Sequence, residues 1–68
     1  METFELIDEY IELCNLLKLV GPCLSGGQAK FVIAEGLVTV DGKIETRKKC
    51  KIHLGQIIRY EDYQIKVV

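Results

Sequence analysis

The chain has 68 residues, enough for one small core and too few for two. A domain of this size buries only about 60% of the surface its unfolded form exposes. A hydrophobic share of 49% and a charged share of 28% exclude a disordered tail, and the short length leaves little chain for a catalytic cleft with its own lid. The formal net charge of −1, taken alone, argues against a polyanionic partner.

The apolar runs are too short for a transmembrane span, so no membrane association is expected. The opening METFELIDEY carries acids where a signal peptide needs a basic start and an apolar stretch. Cys14, Cys23 and Cys50 are odd in number and form no CxxC, which points to a reduced, cytoplasmic setting.

The distribution of charge says more than the total. Residues 1–12 hold five acids and no base, whereas residues 13–51 hold seven bases against three acids. Such a polarised chain can steer a polyanion to one face. The expectation is that the cations gather beside the second helix and the carboxylates lie on the opposite flank.

In chain order, Thr3 to Ile7 alternates and predicts a short strand. Asp8 is placed to cap a helix over Glu9 to Val20, with Glu9 and Glu12 in its first turn and Leu13, Leu16, Leu17 and Val20 on one stripe. Gly21-Pro22 ends it. Ser25, followed three residues later by Gln28, has the spacing of a capping box and opens a second helix whose buried stripe is Ala29, Val32 and Ile33. Gly36 is the left-handed terminator. From Leu37 the period changes to two. Asp41-Gly42 lies between two strand-like runs, Leu37 to Val40 and Lys43 to Thr46, and predicts a type I′ hairpin. Arg47 to Lys51 is a basic run, His53 to Gln56 a turn, and Ile57–Tyr60 with Tyr63–Val68 a final hairpin around Glu61-Asp62.

The order of elements and their punctuation resemble the RNA-binding domain of the ribosomal protein S-four type, also called the αL motif, and its small stand-alone bacterial members. The residues that carry the likeness are Leu13 to Leu19, Ser25-Gly26-Gly27-Gln28-Ala29-Lys30, Ile33 to Gly42, Glu45 to Ile52, and Gly55 to Ile58. The resemblance implies an α+β fold in which two short N-terminal helices pack on a small, mainly antiparallel sheet. It also implies one non-catalytic domain over residues 1–68 that binds structured RNA, ribosomal or transfer, with possible ribosome association. Carried over by position, the RNA-binding candidates are Lys30 on the second helix and Arg47, Lys48, Lys49 and Lys51 after the hairpin, with Ser25, Gly26 and Gly27 marking the start of the second helix. Two positions depart from the family pattern: Tyr10 and Glu12 stand where a base is usual, and Gly26 stands where Arg or Lys often follows the capping serine.

The residues themselves point the same way. If Arg47 to Lys51 is extended, Arg47, Lys49 and Lys51 share a face within about 14 Å, the reach of consecutive phosphates at ~3.3 Å per residue. Lys43 adds to the same sign. Lysines also guard edge strands against pairing, so the run has a structural reading as well. Ser25-Gly26-Gly27 offers free amides at the positive end of a helix, although Ser25 and Gln28 already explain it as capping. Tyr60 and Tyr63 could stack on bases or pack across strands. A Cys3His zinc set can be counted from Cys14, Cys23, Cys50 and His53, but Cys14 falls in an apolar stripe. No metal or cofactor is therefore expected, nor catalysis from the lone histidine. A monomer that binds RNA is the leading expectation. A protein–protein adaptor at the ribosome or the replication machinery, docking through the acidic face or a sheet edge, is the alternative.

Overall fold

In a computed structural model, which describes residues 1–68, nine elements follow one another. They are β1 (Glu2–Phe4), β2 (Ile11–Glu12), α1 (Leu13–Val20), α2 (Gly26–Ala34), β3 (Val38–Val40), β4 (Lys43–Ile44), β5 (Lys51–Ile52), β6 (Ile57–Tyr60) and β7 (Tyr63–Val67). The fold is α+β. Five strands form one sheet in the order β1-β7-β6-β3-β4, and β2 pairs with β5 in a separate ribbon. The larger sheet is mixed, because β1 runs parallel to β7 while its other pairs are antiparallel. Two strands precede the helices.

The first helix begins later than its sequence signals predict. Asp8 does not cap it. Ile11 and Glu12 are drawn into the ribbon opposite Ile52 and Lys51, so the cap position falls on Glu12, whose side chain makes no capping bond. The opening amides are satisfied from far along the chain instead: Leu13 N donates to Cys50 O at 2.9 Å and Cys14 N to Lys48 O at 3.0 Å. A helix end needs acceptors for its orphan N–H groups, and here the tertiary fold supplies them.

The second helix follows its local signals closely. Ser25 Oγ accepts from Gln28 N at 3.1 Å. The return bond differs by one residue from the expected capping box, because Gln28 Oε1 accepts from Leu24 N at 2.8 Å. At the far end Leu37 N reaches Val32 O and Gly36 N reaches Ile33 O, with Gly36 at φ 76°. That pair of bonds is a Schellman termination. No helix is long and apolar enough to cross a membrane.

The buried residues are all apolar. Leu13, Leu16 and Leu17 of α1 and Ile33 of α2 meet Ile58 and Ile65 of the sheet in one core cluster. Every charged side chain is therefore on the surface, and fold and charge pattern can be separated by mutation.

Candidate nucleic-acid interface

The basic segment is not the extended strand that its sequence suggested. β4 ends at Ile44 and β5 starts at Lys51. Between them the chain turns, with Cys50 N donating to Arg47 O at 3.1 Å. The alternating-face argument for Arg47, Lys49 and Lys51 therefore fails. The turn is closed by its own Cys50–Arg47 bond and docks on the start of α1, whose Leu13 and Cys14 amides donate to the carbonyls of Cys50 and Lys48.

The turn nevertheless gathers cations by another route. Lys43, at the foot of the Asp41-Gly42 hairpin, lines one surface groove with Arg47, Lys51 and His53. Lys49 lines an adjoining depression with Arg47 and Lys51. Lys48 projects from the same turn and is exposed. Lys30, Ser25, Gly26 and Gly27 belong to α2 and its cap, and neither depression includes an α2 residue. The cations of these depressions thus come from the hairpin and from the segment that meets the start of α1, and α2 lines neither depression. Ser25 is occupied by capping, and a Cβ at Gly26 would meet nothing within 4 Å, so packing does not require glycine there.

The acids are only partly segregated. β1, which carries Glu2, and β4, which carries Lys43, are opposite edges of the sheet. Glu12, in contrast, returns to the basic segment and stands across the ribbon from Lys51. Lys51 does not pair with it. Its Nζ lies 4.9 Å from the centroid of the Tyr10 ring, a cation–π contact that holds the ammonium at the groove.

The structure contains one ion pair, Arg47 with Glu45. Glu45 grips Arg47 three times: the Arg47 amide and Nε both donate to Oε2 at 2.9 Å, and Nη2 donates to Oε1 at 3.1 Å. This two-pronged geometry is the strong form of the pair. The Arg47 side chain, then its amide, hold the Glu45 carboxyl down at about 2, and the same partner raises the Arg47 guanidinium. Arg47 is still 77% exposed while Glu45 is 17% exposed, so the carboxylate is a floor beneath a solvent-facing fork.

A second carboxylate fixes the other wall. Asp41 Oδ1 accepts from Ile57 N and Oδ2 from Gln56 Nε2, both at 3.0 Å. Those bonds, the Ile57 amide first, lower the Asp41 carboxyl. Gln56 Oε1 in turn accepts from His53 N at 2.8 Å. The hairpin, the His53 turn and β6 are thereby tied together.

Sequence reading missed the aromatic members. The Tyr10 and His53 rings lie 6.2 Å apart at 42°, although the residues are distant in sequence and no local pattern joins them. Tyr60 and Tyr63, the aromatic candidates read from sequence, face each other across β6 and β7, and Tyr60 is buried. Burial raises the Cys23 and Cys50 thiols, and no three His, Cys, Asp or Glu side chains cluster as metal ligands.

With this geometry in view, the likeness to known proteins is specific. The family model of the S4 domain matches residues 4–68. This chain belongs to the S4-domain family. It is 52% identical to YbcJ of Escherichia coli (strain K12) over 69 residues, covering 100% of this chain and 99% of that one, and the same figures hold for YbcJ of Shigella flexneri. The solution structure of the E. coli protein, described as revealing an αL motif involved in RNA-binding, superposes with a TM-score of 0.77 over 100% of this chain and 87% of that one. The 30S ribosomal protein S4e of Thermoplasma acidophilum is 26% identical with a TM-score of 0.62, over 84% of this chain but only 30% of that larger one.

Proposed function

We propose that this S4-domain protein is a non-catalytic RNA-binding module that grips the backbone of a folded RNA, ribosomal or transfer, through Lys43, Arg47, Lys49 and Lys51. Lys48 flanks them, and Lys30 with the Ser25–Gly27 cap, which line neither depression, would add phosphate contacts from α2. The observation that carries this reading is convergence: cations from two separate stretches meet around one groove, and Glu45 is the single acid paired with any of them. The description of YbcJ as carrying a motif involved in RNA-binding supports the choice of RNA, and S4e, a ribosomal protein of which about a third is similar to this chain, supports the ribosomal class. The protein acts as a monomer in this reading.

Three to five phosphates neutralised in this way give a log–log dependence of affinity on salt with a slope of roughly −3 to −4 for a duplex-like site. Titrating ribosomal RNA fragments at several salt concentrations measures it, and a flat response contradicts the mechanism. A second reading, the protein adaptor, is favoured by Leu24, just before α2, and Phe31, within it, which are 92% and 61% exposed. Co-purification with and without ribonuclease separates the two, because an adaptor keeps its partner after the RNA is gone.

A further inference from the structure

We propose that His53 is a stacking site for an unpaired RNA base, placed at the wall of the cationic groove. This inference deepens the RNA-binding reading and rests on it. It goes beyond that reading in naming what the groove selects: a helix interrupted by a bulged or looped-out nucleotide in preference to a continuous duplex.

Three observations carry it. His53 is exposed and lines the groove with Lys43, Arg47 and Lys51, so a base on its ring keeps its own phosphates within reach of those cations. The ring is backed by Tyr10, and the 42° tilt between them means that the two rings are not face to face. Tyr10 therefore supports His53 from the side, and Lys51 lies over the Tyr10 ring, not over the imidazole. Finally, the turn that bears the ring is held in place before any ligand arrives. Gln56 accepts from the His53 amide, and its own amide group is locked on Asp41. The backbone that carries the ring therefore loses little freedom on binding.

The chemistry selects the ligand. Lysine and arginine read phosphate and do not distinguish a paired from an unpaired strand. An aromatic face at the edge of a basic groove adds a contact that only an unstacked base can make. Tyr10 is a positioning residue here, and His53 touches the base.

The test uses two synthetic RNA duplexes, identical except that one carries a single bulged adenosine, with the full chain at constant pH and salt. Wild-type protein is expected to prefer the bulged duplex by about tenfold, the scale of one aromatic–base stack. His53→Ala reduces that ratio to near one, His53→Phe preserves it, and Tyr63→Ala, on the far hairpin, leaves it as in wild type. The chain has a single histidine, so one imidazole Hε1 resonance reports the contact directly. It moves upfield on addition of the bulged duplex and not on addition of the continuous one. Equal affinity of wild type for both duplexes, a ratio that survives His53→Ala, or its loss in His53→Phe overturns the proposal. Failure of wild type to bind either duplex is a different result, which overturns the RNA reading itself.

Discussion

Two turns flank β4, and they are built in opposite ways. The Asp41-Gly42 turn is local: both residues adopt positive φ, 51° and 85°, the twist that a two-residue hairpin requires, and the residues there suit it. The turn from Arg47 to Cys50 has no such signature. Its shape comes from α1, whose first two amides take the carbonyls of Cys50 and Lys48. One turn is specified by the residues in it, the other by a helix more than thirty positions earlier. Their side chains nonetheless share a groove, so the local turn gives the interface its rigid wall and the tertiary one gives it most of its cations.

Mutations can break this division of labour. The largest expected effect falls on the basic side: the triple variant Lys43→Glu, Lys49→Glu, Lys51→Glu loses about a hundredfold or more in RNA affinity at low salt, while its circular dichroism and melting curve stay near wild type because all three side chains are exposed. Retained affinity places the interface elsewhere. On the local side, Gly42→Ala forces a Cβ into left-handed backbone and costs about 1–2 kcal/mol of stability, readable by urea denaturation. Lys49→Ala, in the other turn, changes stability by no more than about 0.5 kcal/mol. Equal costs would show that the two turns are not built differently.

Deleting Lys49 tests the tertiary cap. The shortened turn cannot keep both carbonyls on α1, so the Leu13 and Cys14 amides exchange with solvent faster by about tenfold or more, while the amides of α2 keep their rates. Unchanged exchange at Leu13 and Cys14 contradicts the capping role.

The smallest effects concern Glu45. Replacing it with Gln frees Arg47 from its carboxylate, and RNA affinity rises several-fold with a salt slope steeper by about one. Its pH signature has a definite sign. The folded carboxyl sits at about 2, below its ordinary 4.5, so its contribution to stability is complete above the ordinary value and disappears as pH falls toward 2. The melting-temperature difference between wild type and Glu45→Gln is therefore constant from pH 7 to about 5 and shrinks below that. A difference that shrinks between pH 7 and 5 instead contradicts this assignment.

Much of the architecture was legible from residue order. The α2 cap at Ser25, its termination at Gly36, the Asp41-Gly42 hairpin and the final β6–β7 pair are all interactions between residues a few positions apart, and short-range chemistry records them. The late start of α1 was not legible. Asp8, Glu9 and Glu12 form a plausible helix entry, but pairing of Ile11 and Glu12 with β5 prevails, and that pairing joins segments about forty residues apart. The parallel placement of β1 beside β7 is hidden for the same reason. Within the interface, sequence named the cations but assigned them to a flat strand face, and it did not join Tyr10 to His53.

Residue order alone settles which segments can be helix, strand or turn, and which stretch of the chain is basic, because caps, periodicity and left-handed positions depend on near neighbours. Folding in three dimensions settles where that basic stretch bends, where α1 begins, and which aromatic rings stand beside the groove. These outcomes follow from orphan helix amides and strand edges finding partners far along the chain, and no local pattern encodes such a partner.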